Sequence, residues 1–510
     1  MALTESKDMM AAIAVTRFGL GARPGELDEA RGDPRGWLKA QIRRQGADQP
    51  VPTPLTAPPA APPLTPAPAP ATAGTTVAVA STPLATISPP VFIPPTLAEY
   101  ARGETLPTMQ QGFRAWAAFR DTVKGAKADL DLRRQASVPL YQGLGREVLV
   151  RQRLATMTPA PFRERWALFW ANHFTVAAVK GQNVAVAVGP FEREAIRPYV
   201  FGRFEDMLLA SSSHPGMLMY LDQVESIGPN SPAALKRPKA GLNENLGREI
   251  LELHTVGPDA GYTQADVTEF ARALTGWSMG GPNAPYDQQG RFLYRAEFHE
   301  PGARTIMGRK FPDDGPRQAL AVLVDLANDP RTAEHLSRKI AAHFVADDPP
   351  PVLVARLKDR FLHTRGDLGE VARALVDSPE AWTPAALKLK TPNELLISGY
   401  RAAAAVPLDP AKEIVGPLSS FGQRPFSAPQ PNGWSDSAAT WAAPDAMVKR
   451  LTWAAAFAGY YAPKELQPQQ VADAALGARL TPATLTAVGR AETRPEAFTI
   501  LLMSPEFQRR

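Results

Sequence analysis

The residue types most able to do chemistry lie in one stretch, residues 243–277, which reads NENLGREILELHTVGPDAGYTQADVTEFARALTGW. On a helical wheel at about 100° per residue, Arg248, Glu249 and Glu252 fall on one face together with Asn245. Neighbouring carboxylates serve as general bases or metal ligands, and an arginine binds an anionic group. The spacing therefore predicts Arg248, Glu249 and Glu252 as candidate catalytic residues.

Four further polar residues are candidates for ligand binding: Asn172, Asn243, Glu244 and Asn245. The same polar face also suits a solvated helix with local ion pairs, each worth roughly 0.2–0.5 kcal/mol. A buried polar network would explain these residues equally well, since buried polar groups need hydrogen-bond partners. Spacing alone leaves the functional and the structural interpretations open.

Three histidines from separate segments, His173, His254 and His299, are candidate metal ligands. If they converge with Glu249 or Glu252, the histidine and carboxylate donors would suit zinc or non-haem iron. A divalent metal is therefore the one cofactor that the sequence suggests. The alternative is packing, because His173 continues an aromatic helix face and His254 falls on the leucine side of the helical wheel. His335 and His343, eight residues apart, are also expected to pack.

Several familiar catalytic motifs are excluded. The stretch GWSMG at 276–280 matches G-x-S-x-G, but a helix precedes it where a nucleophile elbow needs a strand. The sequence contains no Walker A motif and no H-E-x-x-H motif. The chain has no cysteine, which excludes disulfides, thiolate metal sites and cysteine nucleophiles.

The elements that must position these residues are mostly helices. A helical period runs through almost the whole chain after residue 96, and it predicts a helix over 242–254. Alternating apolar residues around Pro301-Gly302 predict a hairpin. The predicted fold is therefore mainly α, a large multi-helix body with a small β-hairpin near 291–311.

Composition divides the chain into three parts. Residues 50–95 contain 15 prolines and no charged residue, so they predict an extended, disordered insert. Residues 1–49 are predicted to form N-terminal helices that pack on the main body, and residues 96–510 the main helical domain. The insert is either a spacer or a docking strip for a partner, because pre-extended proline segments bind at low entropic cost.

Charge and hydropathy limit the partners. The 56 basic and 51 acidic residues give a net charge of only +5, so no nucleic-acid partner is predicted. No apolar run reaches the ~18 residues of a spanning helix, so no transmembrane segment is predicted. Acidic residues precede the short apolar run at the start, and no signal peptide is evident. The chain is therefore expected to be cytoplasmic or exported with a partner.

The central stretch resembles the signature of a bacterial family, the domain of unknown function 1800, and the chain is identified as a member. Six further segments follow the family's order: RFGLGARPGE (17–26), FWANHF (169–174), FHEPGARTIMGRKF (298–311), KTPNELLISGYRA (390–402), GQRPFSAPQPNGWSD (422–436) and LLMSPEFQRR (501–510). The chain departs from the family pattern at Leu246, where relatives usually have tyrosine, and at Glu300, where they usually have aspartate.

The resemblance implies a helical fold and carries no established activity. It also implies a partner, because relatives are often encoded beside a sulfatase- or phosphatase-like family, the domain of unknown function 1501. Two hypotheses follow. The first is an enzyme-like or ligand-binding polar site, with metal-assisted chemistry as one form. The alternative is a non-catalytic envelope or assembly protein that acts with the sulfatase-like partner.

Elemental analysis of the purified protein tests the metal hypothesis. We expect a stoichiometric divalent metal that is lost in the His173→Ala, His254→Ala and His299→Ala variants while their folding stays intact. A protein without metal, together with variants that simply unfold, would make these histidines part of a structural network.

Overall fold

The computed structural model describes residues 6–43, 106–124, 129–236 and 241–510. The predicted proline-rich insert, residues 50–95, lies outside the described residues. The division into 1–49, 50–95 and 96–510 therefore stays a prediction.

Helices dominate the described chain, as predicted. Up to residue 274 they are α1 (Lys7–Ile13), α2 (Glu26–Arg31), α3 (Pro34–Lys39), α4 (Met109–Val123), α5 (Leu130–Met157), α6 (Pro161–His173), α7 (Gln182–Ala185), α8 (Val188–Phe191), α9 (Phe204–Ser213), α10 (Pro215–Tyr220), α11 (Asn245–Glu249) and α12 (Gln264–Leu274). Local sequence fixes many of their starts. Thr263, for example, accepts a hydrogen bond from the Asp266 backbone N–H and caps α12.

The remaining helices follow the strands. They are α13 (Pro316–Ala327), α14 (Pro330–Phe344), α15 (Pro351–His363), α16 (Leu368–Asp377), α17 (Pro392–Ala402), α18 (Gly416–Ser420), α19 (Ala438–Trp441), α20 (Pro444–Tyr461), α21 (Pro468–Leu476), α22 (Pro482–Arg490), α23 (Arg494–Met503) and α24 (Pro505–Gln508). Many begin with proline, which lacks the N–H that a first helical turn leaves unpaired. No helix in the described ranges is both long and apolar enough to cross a membrane.

Four short strands form two antiparallel pairs. They are β1 (Trp277–Met279), β2 (Phe292–Tyr294), β3 (Arg304–Ile306) and β4 (Arg309–Phe311). The β3–β4 pair confirms the predicted small hairpin, but its turn lies at Met307-Gly308 and not at Pro301-Gly302. Both turn residues have positive φ, 49° and 80°, a conformation that glycine adopts without strain. The apolar residues of β2 pair instead with β1.

The core centres on the aromatic face of α6. Phe162, Trp166 and Trp170 are fully buried, as their helical spacing predicted. Phe18 from the N-terminal segment and Phe344 from α14 pack against Phe162, with ring centres 6.1 and 5.9 Å away. A second apolar cluster joins α17, α20 and α23 through Tyr400, Phe457 and Phe498. Helix α6 therefore lies at the centre of the main cluster.

The helix predicted over 242–254 changes its period halfway. It is α-helical over Asn245–Glu249 and π-helical over Ile250–His254. A π turn inserts an extra residue, so the side chains after it rotate relative to a regular wheel. Leu253 is consequently only half-buried, although the wheel predicted it to face inward, whereas His254 is buried.

A buried ion pair ties the N-terminal segment to α17. Arg401 Nη2 donates to both carboxylate oxygens of Glu26, at 2.6 and 2.7 Å, and its Nε donates to the Gly21 carbonyl oxygen at 2.8 Å. Gly21 has φ 95°, and a Cβ there would lie 2.7 Å from Ser398 Cβ. Two family segments, 17–26 and 390–402, are therefore locked together by charge and close packing.

Removing one side of this pair should destabilise the fold strongly. We expect Glu26→Gln to lower the free energy of unfolding by about 3–5 kcal/mol, because it leaves the buried Arg401 guanidinium without its counter-charge. Urea denaturation followed by circular dichroism measures the change.

A matched control is Asp28→Asn, whose partner Arg31 is solvent-exposed, and little change is expected there. Equal effects of the two substitutions would contradict the role assigned to Glu26.

Candidate functional site

Two of the three predicted metal ligands lie side by side in the core. The ring centres of His173 and His254 are 5.9 Å apart, and His173 Nε2 lies 3.2 Å from the His254 carbonyl oxygen. Burial lowers the pKa of His254 to about 3 and that of His173 well below its ordinary value. The charge of Lys339 is the second cause in both cases. Both rings are therefore neutral at physiological pH.

The third predicted ligand, His299, has other partners. Its Nδ1 lies 2.9 Å from the Thr275 carbonyl oxygen, and its Nε2 lies 3.5 Å from the Asp313 carboxylate. Within the described ranges, no group of three or more histidine, aspartate or glutamate side chains is arranged to hold a metal ion. A metal centre at His173, His254 and His299 stays a prediction.

The three predicted catalytic residues form a polar patch on α11 and the π turn. Glu249 and Glu252 are both half-buried, and the Tyr262 hydroxyl donates to Glu252 at 3.3 Å. Burial, and next the charge of Glu252, raises the pKa of Glu249. Arg248 points elsewhere, because it donates to Glu244 at 3.0 Å and to Gln264 at 2.9 Å.

The predicted ligand-binding residues of this stretch are bonded internally. Asn243 Oδ1 accepts from the Asn245 backbone N–H at 2.9 Å. Glu244 accepts from the Thr268 hydroxyl at 2.6 Å and from the Gln264 amide at 2.8 Å, both on α12. These contacts, together with Gly247 lying against α12, fix how α11 meets its neighbour.

A half-open cavity of about 120 Å³ lies in the described structure. Its walls come from α5, α6, the end of α14, the start of α17 and the loop 422–436. Four segments with family resemblance therefore meet here: 17–26, which contributes Leu20, 169–174, 390–402 and 422–436. Of the ten predicted site residues, only Asn172 is among the described residues that line it.

His343 and Asp436 form a hydrogen-bonded pair in the wall of the cavity. His343 Nδ1 lies 2.8 Å from Asp436 Oδ1, and both residues line the cavity. Burial lowers the pKa of His343 although Asp436 opposes the shift, so the imidazole is neutral. Burial raises the pKa of Asp436, but His343 and then Lys388 outweigh it, so the carboxyl stays ionised. His343 Nε2 has no hydrogen-bond partner among the described residues.

Asn172 holds the loop that carries Asp436. Its Nδ2 donates to the Trp434 carbonyl oxygen at 2.9 Å, and its Oδ1 accepts from the Trp434 N–H at 2.8 Å. Gly433 has φ 78°, and a Cβ there would collide with the Asn172 carbonyl oxygen. Asn172 therefore acts on the loop backbone two residues before Asp436.

Glu394 supports the opposite side of the cavity. This buried carboxylate lies between Arg165, with which it forms a short hydrogen bond, and Arg510, whose Nη2 is 3.0 Å away. The Arg510 Nη1 in turn donates to the His343 carbonyl oxygen at 2.7 Å. The end of the sequence thereby fixes the backbone of the cavity histidine.

The family model described as "Protein of unknown function (DUF1800)" matches residues 13–509 of this chain. The chain belongs to the DUF1800 family. Searches of curated proteins and of solved structures each found no match. The segments that carried the resemblance contain Asn172, Glu394 and Asp436 of this DUF1800 chain.

The sequence analysis missed His343, Asp436 and Glu394 as site residues of this DUF1800 chain. His343 was expected to pack, and its ring does lie tilted against Phe169, with ring centres 5.2 Å apart. Its pairing with Asp436 spans 93 residues and leaves no local signal. The signal that was present is the family resemblance of 390–402 and 422–436, which contain Glu394 and Asp436.

Buried neutral histidines make this DUF1800 chain sensitive to acid. Burial, and next Lys339, lowers the pKa of His335 to about 4, whereas an unfolded histidine titrates near about 6.5. Between these values the unfolded chain binds more protons, so stability is full above about pH 6.5 and is lost as pH falls towards 4.

As pH falls from about 6.5 towards 4, we expect the free energy of unfolding of His335→Gln to decrease less than that of wild type. The two slopes should differ by up to about 1.4 kcal/mol per pH unit. Urea denaturation at pH 7, 5.5 and 4.5 measures the slope. The exposed His363→Gln serves as the control. Identical slopes in all three proteins would disprove the assignment.

Proposed function

We propose that this protein is an enzyme that hydrolyses a small molecule bound in the 120 Å³ cavity, with His343 as the general base. The observation that carries the proposal is the 2.8 Å contact between His343 Nδ1 and Asp436. An ionised aspartate accepts the Nδ1 hydrogen, so the neutral ring carries its lone pair on Nε2. A base oriented in this way is the usual partner of a water nucleophile.

The other cavity residues suggest how the reaction proceeds. His343 Nε2 takes a proton from water as the oxygen attacks a carbonyl carbon, and it then returns the proton to the leaving group. Gln152 lines the cavity, and its buried Nε2 lacks a hydrogen-bond partner among the described residues, so it can donate to the developing oxyanion. Each step conserves protons and needs no further reactant.

The cavity limits the substrate to a small acyl compound. A cavity of about 150 Å³ holds benzene, so this one admits a molecule of only a few heavy atoms. Leu168, Phe169 and Val176 supply an apolar surface, while Arg151 already pairs with Glu192 at 2.9 Å. The lining thus favours a small neutral ester or amide over a strongly charged ligand.

The patch of Arg248, Glu249 and Glu252 stays a separate prediction of a catalytic group. None of these three residues is among the described lining of the cavity. The raised pKa of Glu249 suits a general base, and burial is its first cause. The cavity is favoured because it combines a half-open volume with an oriented base.

The alternative is a non-catalytic assembly protein that acts with a sulfatase-like partner. The observation that favours it is the hydrogen bonding of Glu244 to Gln264 and Thr268, which gives the central family stretch a structural role. The partner itself stays a prediction from the family resemblance. The two functions differ in whether the cavity turns over a small substrate.

Vinyl acetate, an ester of six heavy atoms, is a probe small enough for the cavity. We expect the wild-type protein to release acid from it in a pH-stat above the uncatalysed rate. The rate should hold from pH 8 down to about 6.5 and fall at lower pH, because the pKa of His343 lies below its ordinary value. We expect His343→Gln and Asp436→Asn to lower the rate by about 100-fold.

His363→Gln removes an exposed histidine and serves as the matched control, with an unchanged rate expected. Circular dichroism verifies that each variant is folded. A folded His343→Gln protein that is as active as wild type would overturn the role of His343. A wild-type protein without turnover would favour the assembly function.

A further inference from the structure

An arginine without a counter-charge is buried between α21 and α22. Arg479 ends the short turn Gly477–Arg479, and its exposed fraction is only 7%. Its Nε, Nη1 and Nη2 atoms are all buried, and none has a hydrogen-bond partner in the part of the chain that the structure describes. Burying an unpaired charge costs several kcal/mol, so native proteins almost always supply a partner. Here the protein itself supplies none among the described residues.

The surroundings add positive charge. Lys390 is almost fully buried, and its ammonium lies 4.0 Å from the ring centre of Phe507. Its hydrogen-bond partner is the neutral Ser398 hydroxyl, at 3.1 Å. Burial lowers the pKa of Lys390 well below its ordinary value, and the charges of Arg165, Arg479 and Arg510 lower it further against the opposing Glu394. The region therefore contains more buried basic groups than acidic ones.

The carboxylates of this region are bound elsewhere. Glu394 is shared between Arg165 and Arg510. Glu506 accepts from the Thr481 N–H at 3.2 Å and from the Thr484 hydroxyl at 3.1 Å, and so it supports the start of α22. Neither forms an ion pair with Arg479, so no carboxylate of the described ranges is seen to balance its charge.

We propose that Arg479 forms the principal contact of a binding site for a small oxyanion. The planar guanidinium presents parallel N–H groups that fit two oxygens of a phosphate, sulfate or carboxylate. Arg479 is not among the described residues that line the 120 Å³ cavity, so this site is separate from the proposed hydrolytic one. A bound oxyanion would accept two of these N–H groups along one edge of the guanidinium and would supply the negative charge that the described residues do not.

Inorganic phosphate is the probe, titrated at constant ionic strength against chloride. We expect the melting temperature of the full-length protein to rise with phosphate and to saturate, because a ligand that binds only the native state stabilises it. Arg479→Met should abolish this response. Arg479→Lys keeps the charge but loses the paired N–H groups, so a weaker response is expected.

The matched control is Arg490→Met, which removes an exposed arginine from the end of α22 and should respond to phosphate like wild type. In phosphate-free buffer Arg479→Met should melt at the same or a higher temperature than wild type, because it loses an unpaired buried charge. If this variant fails to fold, Arg479→Gln replaces it.

Two results would overturn the site. One is a wild-type melting temperature that does not respond to phosphate or responds without saturation. The other is an Arg479 variant whose response equals that of wild type. Titration with acetate and sulfate then distinguishes a carboxylate site from a tetrahedral-oxyanion site. Neither outcome depends on the activity of the His343 cavity.

Discussion

The buried carboxylate of Glu394 is the constraint on which the centre of this protein depends. A lone ionised carboxyl could not stay in this apolar interior, and the two arginines beside it remove that cost. The same residue caps α17 by accepting from the Thr391 backbone N–H at 2.9 Å. One charge therefore fixes the start of a helix, the position of α6 and the course of the final residues.

The two arginines that pair with Glu394 connect it to the cavity and to the N-terminal segment. Arg510 connects it to the backbone of His343, and Arg165 connects it to the Gly19 carbonyl oxygen at 2.6 Å. The N-terminal segment, α6, α14 and α17 are thereby joined by contacts that buried polar groups must make. Three of the family segments, 17–26, 390–402 and 501–510, each supply a partner to these contacts through Gly19, Glu394 and Arg510.

The features that could be predicted from the sequence are those determined by residues close together in the chain. The aromatic face of Phe162, Trp166 and Trp170 follows from spacing, and the cap of Thr263 follows from its neighbour Asp266. The π turn was missed, because an extra residue in one turn leaves no mark on a regular wheel. It changes which side chains face inward, and Leu253 is the residue affected.

The candidate site depends on pairings that no local pattern contains. His343 and Asp436 are 93 residues apart, and Arg401 and Glu26 are 375 apart. The polar residues of the central stretch were identified, but residue type alone does not tell which side chains have spare hydrogen-bonding capacity. Glu244 already accepts several hydrogen bonds, whereas His343 Nε2 has no partner among the described residues. Only the tertiary contacts make that distinction.

The contact between Asn172 and the loop has a consequence for substitutions there. The Asn172 amide bonds the main chain of Trp434, so replacing the side chain at 434 leaves both hydrogen bonds available. Position 433 has no such freedom, because its backbone conformation and the nearby carbonyl oxygen admit only glycine. Adjacent positions in one loop thus tolerate substitution to very different degrees.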